Sequence, residues 1–63
     1  MDWGVTESGN RRHVLAEERP GGHYAGVALC GILLTSAPLD EANVAYWPVC
    51  INCETLLQAM ESV

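Results

Sequence analysis

Residues 49–61 have the sequence Val49-Cys50-Ile51-Asn52-Cys53-Glu54-Thr55-Leu56-Leu57-Gln58-Ala59-Met60-Glu61. This segment predicts a helix over 52–61, because Asn52 suits an N-cap, an acid occupies the first turn and apolar residues recur at helical spacing. The residues that share one face of this helix are Cys53, Leu56, Leu57 and Met60. The cysteines stand three positions apart at the helix N-terminus, where unpaired amides favour thiolates and both sulfur atoms can turn to one side. The segment therefore predicts two ligands of a metal ion.

The chain has 63 residues, with no Phe and only two Trp and two Tyr. A domain of this size buries about 60% of the surface that its unfolded chain exposes, so a disulfide, a metal ion or an oligomer is expected to add stability. Three cysteines cannot pair completely within one chain, and the opening MDWGVTESGNRR lacks the apolar run of a signal peptide. We therefore expect a cytoplasmic protein in a reducing compartment, which favours a metal ion over disulfides.

The charge balance is acidic, since eight acidic residues and three arginines give a formal net charge of −5. Proteins that bind nucleic acids recruit phosphates with clustered Lys and Arg, so this balance disfavours DNA or RNA as a partner. The unbroken apolar run, residues 27–34, has the length of a strand and is shorter than the roughly 20 residues of a membrane-spanning helix. We therefore expect no insertion into a membrane.

Two regions differ in composition. Residues 1–12 are polar, contain glycine and show neither helical nor strand periodicity, which predicts a flexible N-terminal arm. Trp3 and Val5 are the groups of this arm that could pack on the remainder. Residues 13–63 are expected to form one zinc-binding domain, without an internal repeat or a low-complexity tract.

Two extended segments, 12–18 and 23–35, flank Pro20-Gly21-Gly22 and predict a β-hairpin. Because Ala16, Glu17 and Glu18 are poor strand formers, a helix over 13–19 is the alternative.

The region between this hairpin and the C-terminal helix is predicted to hold a loop and one more strand. Residues 36–43 contain Pro38, Asp and Asn, which are typical of a loop. Residues 44–47 predict a short third strand that Pro48 ends. The expected fold class is α+β, a small zinc-bound domain with a β-hairpin, a short third strand and a C-terminal helix.

Cys30 is the expected third ligand and a histidine the fourth, with His13 and His23 as candidates. A two-residue turn at 21–22 places His13 opposite Cys30, and a turn at 20–21 places it opposite Ala28, diagonal to Cys30. Either register puts His13 and Cys30 on one face about 5 to 8 Å apart, within reach of one ion. His23 lies seven residues before Cys30 in the same predicted strand, about 23 Å away and on the other face.

Each candidate ligand also has an interpretation without zinc. Cys50 and Cys53 could form a buried pair or a redox dithiol, and Cys30 suits a core position. Trp47, which precedes Pro48, is better explained as a core or ligand-shielding residue than as a recognition surface. Because ligand identity does not separate zinc from iron, the same four residues could also hold an Fe–S cluster.

The segments His13-Val14-Leu15, Ala28-Leu29-Cys30-Gly31 and Val49-Cys50-Ile51-Asn52-Cys53 resemble those of small zinc-ribbon or treble-clef-like proteins. In particular, the chain is similar to the short zinc-finger proteins with one His and three Cys ligands that are common in actinobacteria and their phages. The resemblance covers residues 13–61 and implies a structural zinc ion (Zn2+) on His13, Cys30, Cys50 and Cys53, with almost no activity. The long span between Cys30 and Cys50 and the acidic balance differ from nucleic-acid-binding zinc ribbons.

The expected function is that of a non-catalytic zinc-binding protein that acts as a protein-interaction or regulatory module. Four protein ligands leave no position for an activated water, and no Ser-His-Asp, paired-carboxylate or phosphate-loop pattern is present, so we expect no enzyme. The alternative is a nucleic-acid-binding transcriptional regulator of zinc-finger type, motivated by the resemblance and by Arg11-Arg12. Apolar residues that so small a core leaves exposed would also allow a homodimer.

Overall fold

A computed structural model of the chain describes residues 2–7, 9 and 11–62. Within these residues it contains strands β1 (Trp3–Val5), β2 (Arg12–Glu18), β3 (Gly26–Ala28), β4 (Leu33–Leu34) and β5 (Ser36–Leu39), a 3₁₀ helix (Glu41–Val44) and helix α1 (Ile51–Glu61). The strands pair antiparallel in the order β4-β3-β2-β1-β5. The predicted α+β class is confirmed.

The sheet wraps around itself because β4 and β5 follow one another with only Thr35 between them. β4 pairs with β3 and β5 pairs with β1, so residues 33–39 reach both ends of the strand order. The N–H and the hydroxyl of Thr35 both donate to the Val5 carbonyl oxygen, at 3.0 and 3.2 Å. Leu34 faces the interior of the wrapped sheet and is fully buried. The wrapping encloses the small core and pairs both edges of β1, β2 and β3.

The hairpin of β2 and β3 is confirmed, but its turn is longer than predicted. Arg19 N–H donates to the Ala25 carbonyl oxygen at 2.9 Å, which leaves the five residues 20–24 in the loop. β2 runs to Glu18 and pairs with both β1 and β3, so the alternative of a helix over 13–19 is wrong. Pairing on both sides of the strand outweighs the low strand propensity of its last residues.

A β-bulge at Ala16 changes the register of this hairpin. Glu17 pairs with Val27, whereas Leu15 pairs with Ala28, so Ala16 is an extra residue on β2. Its consequence is a change of one residue in every pairing between the bulge and the N-terminal end of β2.

The prediction of one strand over 23–35 is wrong. β3 ends at Ala28, and the chain turns back through residues 29–32 into β4, which pairs with β3. Gly31 has φ +95°, a left-handed conformation that favours glycine. The turn is closed by Gly31 N–H donating to the Ala28 oxygen at 2.9 Å and by Ala28 N–H donating to the Ile32 oxygen at 2.8 Å. The apolar side chains around Gly31 had obscured this turn in the sequence.

The predicted N-terminal arm, residues 1–12, needs correction at both ends of its described part. Trp3–Val5 forms β1, which lies between β2 and β5, and Arg12 begins β2. Trp3 is buried, with 7% of its surface exposed, so its burial stabilises the strand. Residues 1, 8 and 10 of the predicted arm lie outside the described residues.

Two predictions between the hairpin and the helix are also wrong. Residues 36–39, expected in a loop, form β5 with a cis peptide bond between Ala37 and Pro38. Residues 44–47, expected in a strand, contain the end of the 3₁₀ helix and a turn. Val44 is buried in the core, so its apolar character reflects burial and not a strand.

The described core is small and sulfur-rich. Its buried apolar residues are Trp3, Val14, Ala28, Leu34, Val44, Cys50 and Cys53. Trp47 is half-buried and packs against this cluster, as expected of a core or ligand-shielding residue. On α1, Cys53 is buried and Leu57 half-buried, but Leu56 and Met60 are exposed. Because so few large side chains are buried, the cysteines occupy a position where a metal ion can add stability.

Candidate metal centre

Backbone hydrogen bonds fasten the segment before α1 to the start of β2. Arg12 N–H donates to the Pro48 oxygen at 2.8 Å, and Cys50 N–H donates to the Arg12 oxygen at 2.9 Å. Arg12 and Val49 also form an isolated parallel bridge. These bonds bring Cys50 beside His13, the next residue of β2.

Cys50 and Cys53 occupy the first turn of α1. Cys50 is the N-cap, and Glu54 N–H donates to its carbonyl oxygen at 2.9 Å. The predicted N-cap, Asn52, is therefore one residue inside the helix, which begins at Ile51. The helix starts earlier because the bonding of Cys50 to β2 fixes the chain at that point. Both sulfur atoms then lie near His13, and Cys53 is fully buried.

Cys30 enters the site from the turn between β3 and β4. Leu29 N–H donates to the Val14 oxygen at 2.8 Å, which continues the register of Leu15 with Ala28 toward the start of β2. In that register Cys30 lies across from His13. The sulfur of Cys30 is half-buried, at the edge of the site.

The structure brings together all four residues predicted as ligands, which are His13, Cys30, Cys50 and Cys53. One ligand atom from each lies within 4.8 Å of the other three. His13 Nδ1 is 3.7 Å from the Cys30 sulfur and 3.8 Å from the Cys53 sulfur. Bond lengths of about 2.3 Å to sulfur and 2.0 Å to nitrogen place the atoms of a tetrahedral zinc site about 3.6 Å apart. Donor types and spacing therefore fit a zinc ion.

Burial sets the protonation of His13. Its side chain is 6% exposed, and this burial lowers the pKa of the imidazole below 6.5. The neutral imidazole, which is the form that binds a metal, is thereby favoured at neutral pH.

The two cysteines of α1 differ in their tendency to ionise. Burial opposes ionisation of Cys50, but the N–H groups of Cys53 and Asn52 outweigh it and lower the pKa of the Cys50 thiol. Burial, together with the neighbouring Cys30 sulfur, raises the pKa of the Cys53 thiol to about 11. A divalent cation at the centre of the cluster would displace the Cys53 proton and offset the repulsion between thiolates.

His23, the alternative fourth ligand, does not join the cluster. It is exposed on the loop between β2 and β3, where its ring packs edge-on against Tyr24 at a centroid distance of 5.0 Å. The reasoning that excluded it assumed one strand over 23–35, but the outcome is the same because loop 20–24 carries His23 away from β2.

The sequence reasoning did not find the contact that holds β1 near the site. The Arg12 guanidinium carbon lies 4.3 Å from the centre of the Trp3 ring, and Arg12 Nη1 is 3.7 Å from Glu41 Oε1. Arg12 is thus held by its side chain against β1 and by its backbone against the segment that carries Cys50. The signal available in the sequence was the lone Trp in an otherwise polar N-terminus.

One His and three Cys on a small α+β scaffold define a zinc-binding module of the zinc-finger class. The family model of the one-histidine, three-cysteine zinc-finger matches residues 2–63, and the chain belongs to this family. Searches of curated proteins and of solved structures find no match to the chain. No helix among the described residues is long and apolar enough to cross a membrane.

Proposed function

We propose that this protein is a non-catalytic zinc module whose ion holds together a surface for binding another protein. The observation that carries the proposal is the set of four protein ligand atoms within 4.8 Å of one another. A four-coordinate site completed by protein ligands is closed, with no position for a substrate or an activated water. Zinc therefore serves folding, and the protein is not an enzyme.

The energetics support a structural ion. Zinc-finger peptides gain about 10 to 16 kcal/mol of apparent binding free energy from zinc, which exceeds what a core of this size supplies. His13, Cys30, Cys50 and Cys53 come from three separate segments of the chain. An ion bound by all of them joins β2, the turn between β3 and β4, and α1.

A protein partner is supported by the surface of the domain. Several large apolar side chains are exposed, among them Ile32, Leu33, Ile51 and Met60, and the net charge is −5. The ligand set requires reduced thiols, and all three cysteines are free, so we place the protein in the cytoplasm. We also propose that the similarity to the actinobacterial and phage proteins reflects kinship, on the segments 28–31 and 49–53.

The nucleic-acid alternative has less support. Arg12 packs on Trp3 with its side chain only 16% exposed, and Arg19 Nε lies 3.8 Å from Glu17 Oε1. These two guanidinium groups contact protein groups, so their contribution to binding phosphates is reduced. Measurement of binding to a mixed DNA and RNA pool at low salt tests this alternative, for which no retention is expected.

The proposal is tested by affinity capture from the native host with zinc-loaded protein as bait. The matched control is Cys50→Ser, which removes one ligand at the mouth of α1 and leaves the rest of the surface composition unchanged. We expect specific proteins to be enriched on the wild-type bait and lost on the control. If no protein is enriched over the control, the interaction role is wrong; turnover of any host metabolite by the loaded protein would refute the non-catalytic role.

A further inference from the structure

A groove on the side of the β3–β4 hairpin has the character of a docking site. It has a volume of about 380 Å³ and is lined by Thr6, Glu7, Tyr24, Ile32, Leu33 and Thr35. Three of these are large apolar side chains that remain exposed: Tyr24 at 37%, Ile32 at 43% and Leu33 at 40%. Large apolar side chains that converge on one concave surface are typical of interaction sites.

The position of Leu33 shows that its exposure follows from the fold. Leu33 and Leu34 are the two residues of β4, and successive side chains of a strand point to opposite faces. Leu34 is fully buried in the core, so Leu33 must face outward into the groove. The wrapped sheet thus leaves an apolar side chain uncovered at this place.

The groove is tied to the metal centre through one turn. Ile32 and Cys30 belong to the same turn between β3 and β4, which is closed by Ala28 N–H donating to the Ile32 oxygen at 2.8 Å. An ion on Cys30 therefore restrains the turn that supplies the groove's apolar floor. This connection gives the structural ion a consequence at the surface.

Charge determines the kind of occupant. Glu7 is the one charged residue among the six lining residues named above, and it is exposed at the groove. A second copy of this chain would bring a surface of net charge −5 against it, which disfavours self-association. An apolar side chain followed by Lys or Arg would instead bury its apolar part on Ile32 and Leu33 and place its cation near Glu7.

We infer that this groove binds a segment of another protein in which an apolar residue stands next to a basic residue. The inference rests on the proposed function, for which it names the surface and the chemistry of the partner.

The test uses zinc-loaded, isotope-labelled protein and three capped peptides, Gly-Leu-Lys-Gly, Gly-Leu-Glu-Gly and Gly-Ser-Lys-Gly. Binding is followed by changes in backbone amide chemical shifts. We expect the Leu-Lys peptide to shift amides of the groove and to bind about two- to fivefold more tightly than the Leu-Glu peptide, as for an exposed ion pair. The Ser-Lys peptide is expected to bind more weakly still, because it lacks the apolar side chain.

Variants of exposed residues assign the effect. Leu33→Ser is expected to weaken binding of the Leu-Lys peptide at least fivefold, and Glu7→Gln to abolish its advantage over the Leu-Glu peptide. Met60→Ser is the control, because Met60 is an apolar residue of α1 that is 62% exposed and does not line the groove. Zinc content and circular dichroism of each variant establish that the fold is kept.

Several results would overturn the inference. These are equal binding of the Leu-Lys and Leu-Glu peptides, shifts that map to α1, and full binding by Leu33→Ser. Groove shifts that depend on protein concentration without peptide would assign the groove to a second copy. If a captured host protein is still bound by Leu33→Ser, the groove assignment fails and the interaction role stands; if no host protein is captured while the peptide binds, the reverse holds.

Discussion

His13 Nδ1 lies 3.7 Å from the sulfur of Cys30, from which it is separated by 17 positions in the chain. The five-residue loop 20–24 by itself would pair His13 with the residue after Cys30, and the extra residue Ala16 on β2 shifts the pairing back by one. Side chains alternate between the two faces of a strand, so a shift of one residue decides whether the two ligands meet. The bulge therefore sets the geometry of the candidate metal centre.

Removal of zinc should unfold the domain. We expect one zinc ion per chain by native mass spectrometry, and loss of both β-sheet and helix signals in circular dichroism after a strong chelator is added. The reason is that the ion joins three segments around a core with few large side chains. Readdition of zinc is the control and should restore the spectrum; a metal-free chain with an unchanged spectrum would contradict the structural role.

His13→Ala and His23→Ala should differ strongly. His13 lies in the ligand cluster, so its loss should lower zinc affinity by more than the roughly 10- to 100-fold that the loss of an outer-shell partner costs. His23 is exposed on loop 20–24, and its replacement should leave affinity unchanged. Competition with a chromogenic zinc chelator measures both. Equal affinities of the two variants would remove His13 from the site.

Gly26→Ala should destabilise the bulge. A Cβ at this position would lie 2.5 Å from the backbone oxygen of Glu17, which cannot move without changing the register of β2. We expect a loss of about 1 to 3 kcal/mol in the free energy of unfolding, together with weaker zinc binding. Gly22→Ala is the matched control, because the nearest atom to its Cβ is 3.6 Å away. Chemical denaturation in excess zinc should separate the two variants, and equal midpoints would argue against the tight approach at Gly26.

Acidification should release zinc and unfold the domain. Burial lowers the pKa of His13 below 6.5, so between this lowered value and 6.5 the unfolded chain binds more protons than the folded one. Stability is therefore fully present above 6.5 and falls as the pH decreases through the folded-state pKa. Zinc competes with the same proton, so the midpoint of its release should lie below pH 6.5. His23→Ala should show the same titration curve, and a midpoint above pH 6.5 would be inconsistent with a buried imidazole ligand.

Arg12→Met should weaken the attachment of β1. The variant keeps the apolar stem and removes the guanidinium group that lies 4.3 Å from the centre of the Trp3 ring. We expect a loss of about 0.5 to 2 kcal/mol in thermal or chemical unfolding. Arg11→Met, at an exposed neighbouring position, is the control and should change stability by less than about 0.5 kcal/mol. Equal effects of the two variants would deny the Trp3 contact a role in stability.

The ligand set could be predicted because its chemistry is written in short segments. Cys50 and Cys53 have ligand spacing at a helix start, and hairpin pairing favoured His13 over His23 under either predicted turn. The reasoning reached His13 through a two-residue turn that the structure lacks, and a longer loop with a bulge leads to the same partner. The prediction of the residue was thus more robust than the prediction of the turn.

The strands were harder to predict because their partners are distant in sequence. Trp3–Val5 becomes a strand only between β2 and β5, and residues 36–39 become one only beside β1. In such short strands the stabilisation comes from pairing and burial against other segments, which local propensity does not contain.

The sequence by itself determined the α+β class, the hairpin, the C-terminal helix and the four candidate ligands, because turn residues, helical periodicity and cysteine spacing are local properties. The tertiary structure alone decided the closure of the sheet by residues 33–39, the contact of Arg12 with Trp3 and the exposure of Leu33. It also decided the bulge at Ala16. These features depend on which segments compete for a small interior, and that competition is resolved only when the whole chain is packed.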